Sequence, residues 1–93
     1  MNTDTKQTYT DEMGELYTAV SRLESAEDCR AFFEDICSLK ELHAMAQRLQ
    51  VARLLNEGKS FNYITNETGA STATISRVSR CLSGGSGGYK KVL

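Results

Sequence analysis

The most informative part of the sequence is the segment Lys59–Leu82, KSFNYITNETGASTATISRVSRCL. Ser60 and Ser71 each stand before a short stretch with helical spacing of apolar residues, and serine is a preferred N-cap residue. Gly69 lies between the two stretches. The first helix must stop there in a left-handed or similarly strained backbone conformation, which glycine adopts more easily than a residue with a side chain. We therefore predict two short helices joined by a tight turn, which is the arrangement of a helix-turn-helix.

The second of these helices, expected from about Thr72 to Leu82, has two chemically different sides. Its apolar side would pack with Ile64 of the first helix onto a longer helix that precedes both; this side carries Ile75, Val78 and Leu82. Successive residues are about 100° apart around a helix, so the opposite side carries small, hydroxylated or basic residues: Ala73, Ser76, Arg77 and Arg80. Thr72 lies at the exposed N-terminal end of the helix.

That polar side has the residue types that read DNA. Small and hydroxylated side chains let a helix lie deep in the major groove, and arginines reach guanines or phosphates. Backbone N–H groups at a helix N-terminus can hold a phosphate. The sequence therefore predicts binding of double-stranded DNA through residues of both short helices: Ser60, Asn62, Ser71, Thr72, Ala73, Ser76, Arg77 and Arg80. The alternative is a helical protein-interaction module in which the helix-turn-helix serves only as a packing unit.

The rest of the chain also has helical periodicity. Residues 1–10 are polar, and we expect them to be frayed. Helices are predicted at about 11–23, from Ser25 to Cys37, and from a cap at Ser38 to about Asn56, with Gly58 as the stop. The glycine-rich segment 83–88 is expected to be a flexible linker or wide turn. Period-2 alternation of useful length is missing, so the fold class is all-α.

We predict one domain over residues 1–93. Its parts are the acidic N-terminal helices 1–37 as a dimer scaffold, the long central helix 38–58, the helix-turn-helix 59–82 and the glycine-rich tail 83–93. A chain of this size buries only about 60–65% of its unfolded surface. Each of the three helices predicted before Gly58 has an apolar side that must be shielded from water. A homodimer core is therefore expected, built from Phe32, Phe33, Ile36 and Leu42 of both chains.

Charge is divided unevenly along the chain. Residues 1–37 contain nine acidic and three basic residues, a net charge of −6, whereas residues 38–93 contain eight basic and three acidic residues, a net charge of +5. Beyond Gly69 the sequence has no acidic residue. This division is typical of a polyanion-binding C-terminal half on an acidic scaffold, although chance clustering in a short chain can also produce it.

Other function classes are disfavoured. Apolar runs fall far short of the roughly 20 residues of a membrane span, and residues 1–30 lack a basic segment followed by an apolar one, so we do not expect secretion. The three cysteines form no C-x-x-C pair and are expected to be free thiols in the cytoplasm. His43 is the only histidine, Cys81 is predicted to be a structural thiol, and Gly84–Gly88 lacks the lysine of a phosphate-binding loop. We expect no enzyme activity, metal, cofactor or membrane partner.

Two stretches resemble the Trp repressor family. They are Ala44–Leu55, AMAQRLQVARLL, followed by Gly58, and Glu67–Arg77, ETGASTATISR. The resemblance covers roughly Ser38 to Leu82, and the ending RVSRCLSGGSGGY is similar to a bacterial subgroup of poorly defined role. It implies an intertwined, all-helical homodimer that presents one helix-turn-helix per subunit to successive major grooves. It also implies transcriptional repression, with L-tryptophan as corepressor in the founding member.

The resemblance also implies where an effector would bind. Arg48 and Arg77 match the two arginines that flank the indole in the founding member, and Ser38 matches a ligand-contacting threonine. Val78, however, stands where the founding member has a glycine that leaves room for the indole. The loop after Gly58 is shorter, and a further C-terminal helix is not expected. We therefore expect DNA binding without a tryptophan response, and a different small-molecule effector remains an option.

Overall fold

The structure is a computed structural model that describes the backbone of residues 2–93 and the side chains from Thr10 onward. Within this range the chain forms six α-helices: α1 (Asn2–Ser21), α2 (Ala26–Ile36), α3 (Leu39–Asn56), α4 (Phe61–Thr68), α5 (Thr72–Gly84) and α6 (Gly88–Val92). The described residues contain no strand. The prediction of an all-α fold is confirmed.

The chain divides into two compact units, residues 1–38 and residues 39–93. The first unit contains α1 and α2, and the second contains α3 to α6. This boundary lies one residue from the predicted junction between the acidic helices and the long central helix. The single domain over residues 1–93 stays a prediction.

In the first unit, α2 begins at a side-chain cap. The Ser25 hydroxyl accepts a hydrogen bond from the Asp28 N–H at 3.0 Å, as its spacing predicts. The Asp28 carboxylate accepts from the Glu24 N–H at 3.3 Å, one residue earlier than in a standard capping box. Further along α2, the rings of Phe32 and Phe33 meet edge to face, with centroids 5.5 Å apart. The helix start and its apolar side are therefore set by local sequence.

The second unit is built around one small core. Six residues are fully buried, and they come from three helices and one turn: Val51 and Ala52 of α3, Ile64 of α4, Ala70 of the turn, and Ile75 and Val78 of α5. Leu54, Leu55, Leu82 and Tyr89 pack against this cluster and are partly buried. The predicted packing of the two short helices onto the long helix is confirmed.

The N-terminal segment differs from expectation. Residues 2–10 were expected to be frayed, but α1 already begins at Asn2. The segment contains neither proline nor glycine. Extending an existing helix costs less free energy than nucleating one, so the amphipathic part of α1 can propagate helix towards the N-terminus. The expectation was wrong because it weighed polarity above helix continuity.

The C-terminal segment differs more. α5 extends to Gly84 instead of ending at Leu82, and residues 88–92 form α6. The expectation of a glycine-rich tail without a further helix was therefore wrong. Tyr89 supplies the physical reason, because its partly buried side chain packs against the core cluster and holds the segment there. An apolar anchor after a glycine-rich turn indicates a returning element.

Candidate nucleic-acid interface

Each helix of the α4–α5 pair is started by a serine side chain. The Ser60 hydroxyl accepts a hydrogen bond from the Tyr63 N–H at 3.1 Å, and the Ser71 hydroxyl accepts from the Thr74 N–H at 3.2 Å. Both serines have extended backbone angles, as N-cap residues do. The two predicted caps are confirmed. The Ser71 hydroxyl also donates to Thr74 Oγ1 at 3.1 Å, so its single proton is already used within the cap.

The turn between α4 and α5 is held by short-range hydrogen bonds. Gly69 has φ 71°, and its N–H donates to the Thr65 carbonyl at 2.9 Å. The Thr68 hydroxyl donates to the Ile64 carbonyl at 2.7 Å and accepts from the Ala70 N–H at 3.1 Å. Ala70 is buried in the core next to this turn. The angle between the two helices is therefore fixed by backbone bonds and by packing.

Gln47 ties this turn to α3. Its side-chain N–H donates to the Thr68 carbonyl at 3.0 Å in a partly buried environment. Helix C-termini leave carbonyls without intrahelical partners, and Gln47 satisfies one of them from a neighbouring helix. Sequence reasoning missed this residue, since a glutamine in a polar helix carries no signal that separates a tertiary hydrogen bond from a solvated side chain.

The side of α5 that faces away from the core matches most of the prediction. Thr72, Ala73, Arg77 and Arg80 are exposed, whereas Ile75 and Val78 are buried. Ser76 was predicted to belong to the exposed side, but it is partly buried. At about 100° per residue it lies at the margin of that side, nearer to the core than Ala73 or Arg80. We refer to Thr72, Ala73, Arg77 and Arg80 as the outer face of α5.

The outer face is positively charged. Segment 69–93 contains no acidic residue. Among the side chains described from Thr10 onward, neither Arg77 nor Arg80 lies within ion-pair distance of a carboxylate. On α4, Asn62 is exposed in the first turn, and the Lys59 ammonium lies 5.1 Å from the centroid of the Tyr63 ring. These groups can interact with a polyanion without first breaking an internal ion pair.

The four residues of the predicted effector pocket have different environments. Arg48 and Arg77 are exposed, Val78 is 1% exposed in the core, and Ser38 is exposed at the end of the first unit. The second unit also has a cleft of about 440 Å³, whose walls are mostly apolar: Leu49, Cys81, Ser86, Gly87, Gly88, Tyr89 and Val92. None of the four predicted pocket residues lines this cleft.

The described residues hold neither a metal-binding cluster nor a membrane-spanning helix. They contain no group of three or more histidine, cysteine, aspartate or glutamate residues placed to hold a metal ion. No helix in this range combines the length and the apolar character that crossing a membrane requires.

Comparison with known proteins assigns the family. Residues 11–93 match the family described as Trp repressor protein. The chain belongs to the Trp repressor family. Members of this family are DNA-binding regulators, and the all-helical fold agrees with that assignment.

Individual relatives support the same family. The chain is 48% identical over 82 residues to YerC of Bacillus subtilis, an uncharacterized protein, covering 88% of this chain and 79% of the relative. A Staphylococcus aureus structure proposed to be a Trp repressor is 43% identical with a TM-score of 0.82, covering 89% of this chain and 83% of that one. A TrpR-like protein from Eubacterium eligens is 39% identical with a TM-score of 0.84, covering 94% and 90%.

Replacing Gln47 tests how the turn is held. Gln47→Met keeps the length of the side chain but removes the donor to the Thr68 carbonyl. We expect the free energy of unfolding to fall by about 1 kcal/mol, because a partly buried acceptor loses its partner. Urea denaturation measures this change. The matched control is Gln50→Met at an exposed position of α3, and equal stability of the two variants would contradict the role assigned to Gln47.

Proposed function

We propose that this protein is a sequence-specific DNA-binding transcriptional regulator that acts as a homodimer, with α5 as its recognition helix. The observation that supports this most directly is the outer face of α5, which is small at its N-terminal end, basic further along and without acidic neighbours in segment 69–93. A surface of this kind on the second helix of a helix-turn-helix fits the DNA major groove.

Different parts of α4 and α5 are expected to contact different parts of the DNA. Thr72 and Ala73, in the first turn, are small enough for the backbone to approach base edges closely, and their methyl groups can contact thymine methyls. Arg77 and Arg80 lie one and two turns further and can reach guanines or phosphates. Ser60 and Asn62 sit at the start of α4, where backbone N–H groups favour a phosphate. In this proposal, α4 fixes the register while α5 reads the sequence.

Homodimerisation is supported by apolar surface that the single chain leaves open. The described part of α1 contains Tyr17, which is 64% exposed, and α2 contains Ile36, which is 53% exposed. α2 has no buried residue, and Phe32, Phe33 and Leu42 are only partly buried. Apolar area of this kind gains about 25 cal/mol per Å² when a partner removes it from water. A second copy of the chain supplies a matching surface by symmetry.

Repression and a cytoplasmic location belong to the same proposal, and both rest on family membership. A dimer that occupies an operator blocks other proteins from that DNA. L-tryptophan is not expected to be its corepressor. Val78 is buried in the core at the position where the resemblance requires open space, and its branched side chain packs with Ile64 and Ile75. The helices proposed to bind DNA are thus packed in place without a ligand, and any small-molecule effector is expected to differ from L-tryptophan.

Arg77→Ala and Arg80→Ala are expected to weaken DNA binding without loss of helical content. Each loss of a base contact should cost about 1–3 kcal/mol of binding free energy, and each loss of a phosphate contact should reduce the salt slope by about one unit. A duplex is first selected from a random pool, and its affinity is then measured at several salt concentrations. Arg22→Ala, in the acidic half, serves as the control.

Two results would contradict this assignment. If both arginine variants bind like the parent at every salt concentration, then α5 is not the recognition helix. If the parent shows no salt-dependent affinity for any duplex, then the helix-turn-helix serves packing alone and the protein-interaction alternative gains support.

The oligomeric state is tested by sedimentation at micromolar concentration. We expect the parent to be a dimer and Ile36→Glu to dissociate about a hundredfold more readily, because a buried unpaired carboxylate is unfavourable. Asp35→Asn, at an exposed neighbouring position, should remain dimeric. A stable, folded parent monomer at this concentration would contradict the proposed dimer.

Calorimetric titration with L-tryptophan up to millimolar concentration should show no binding of micromolar affinity. Overpacking of the kind that Val78 imposes costs about 1–3 kcal/mol, enough to weaken a micromolar ligand by about fivefold to more than a hundredfold. Val78→Gly should gain tryptophan affinity if this valine closes the pocket, whereas Val51→Gly, at another fully buried helical valine, should not. Micromolar binding by the parent that also tightens DNA affinity would show that the pocket is open.

A further inference from the structure

We infer that α6 is a positioning element for the recognition helix, and that Tyr89 is the residue through which it acts. Two glycines with specific backbone roles turn the chain back after α5, and Tyr89 then packs against the core that holds α5. This inference rests on the proposed DNA-binding function and assigns a role to a segment that had been expected to be a flexible tail.

Gly85 is required by a close backbone approach. It ends α5, and its N–H donates to the Cys81 carbonyl at 2.9 Å. A Cβ atom at this position would lie 2.6 Å from the Cys81 carbonyl oxygen and 3.0 Å from its Cα, so the backbone would have to move. The chain can leave α5 in this direction only with glycine at residue 85.

Gly87 is required by its backbone angle. Its φ is 81°, in the left-handed region, and it is the N-cap residue of α6. The neighbouring glycines differ from it: Gly84 and Gly88 lack a positive φ, and a Cβ atom added to either meets no atom within 4 Å. The backbone of the turn therefore requires glycine at Gly85 and Gly87 but not at Gly84 or Gly88. In a flexible linker, no position would require glycine more than another.

The turn brings Tyr89 back to the core of the second unit. This tyrosine is partly buried against the core cluster to which Ile75 and Val78 of α5 belong, and Leu82 of α5 packs on the same cluster. Tyr89 also lines the cleft that Leu49 of α3 and Cys81 of α5 border. The inward side of the last turns of α5 is thus partly covered by α3 and α6, whereas Arg80, Ser83 and Gly84 stay exposed.

α6 lies far from the first turn of α5 and close to the turn that contains Arg80. Thirteen residues at 1.5 Å rise make α5 about 20 Å long, and the residues proposed to enter the groove first, Thr72 and Ala73, are at its start. α6 packs near its other end. Without α6, the final turns of α5 would fray in the free protein, and ordering them on DNA would reduce the affinity. No protein–DNA contact would be lost.

Substitutions at Gly87 and Tyr89 are compared with substitutions at the two unconstrained glycines, Gly84 and Gly88. We expect Gly87→Ala and Tyr89→Ala to raise the dissociation constant for the selected duplex about tenfold, equivalent to about 1.4 kcal/mol, with an unchanged salt slope. Gly84→Ala and Gly88→Ala should bind like the parent, and Tyr89→Phe should retain affinity because the ring does the packing. Amide hydrogen exchange of residues 79–84 in the free protein should accelerate only in the two weakened variants. If Gly87→Ala fails to fold, Tyr89→Ala carries the test alone, and Gly87→Asn should retain more affinity than Gly87→Ala since asparagine tolerates the left-handed region better.

The outcomes separate this inference from the proposed function. If Arg77→Ala loses DNA affinity while Gly87→Ala and Tyr89→Ala match the Gly88→Ala control in affinity and exchange, then the inference is overturned and the function stands. A reduced salt slope in Tyr89→Ala would also overturn it, because that result would mean a lost phosphate contact. If the parent binds no duplex, both fail.

Discussion

The structure of the C-terminal unit depends on one interaction, the burial of Ile64, Ile75 and Val78 against Val51 and Ala52 of α3. α4 is only eight residues long, and an isolated helix of that length is not stable in water. Packing onto the long helix supplies the free energy that local propensity cannot. Because Ile75 and Val78 must face inward, the helical period leaves Ala73, Arg77 and Arg80 on the outside. The proposed DNA surface is thus a geometric consequence of the core.

Polar contacts make this packing unique. The serine caps start α4 and α5 at defined residues, the Thr68 hydroxyl bridges the turn, and Gln47 fastens the turn to α3. Each contributes only about 1 kcal/mol, but together they fix the angle at which α5 is presented. The same reasoning extends to α6, where a specific glycine turn returns Tyr89 to the core. A recognition helix that is already ordered along its length can bind DNA without the loss of conformational entropy that ordering it would cost.

Much of this architecture could be predicted from residues whose effects are local. Ser60, Gly69 and Ser71 mark helix ends through their own backbone preferences, and the spacing of Ile75 and Val78 gives the buried side of α5. Two features that depend on particular tertiary contacts were not predicted. Gln47 resembles any surface glutamine, and residues 83–88 have the composition of a linker although two of the glycines are required by geometry. The family resemblance agreed with the dimer that the apolar stripes already favoured, and it added the effector hypothesis, which periodicity cannot provide.

The most direct test of DNA recognition by α5 is residue-level mapping of the complex by nuclear magnetic resonance. The labelled protein is titrated with a duplex selected from a random pool, and amide shifts are followed along the chain. We expect the largest changes in the first turn of α5 and at Arg77 and Arg80, with smaller changes at the start of α4 and little change in α2. Changes confined to residues 10–38, or none at saturating duplex, would contradict recognition by α5.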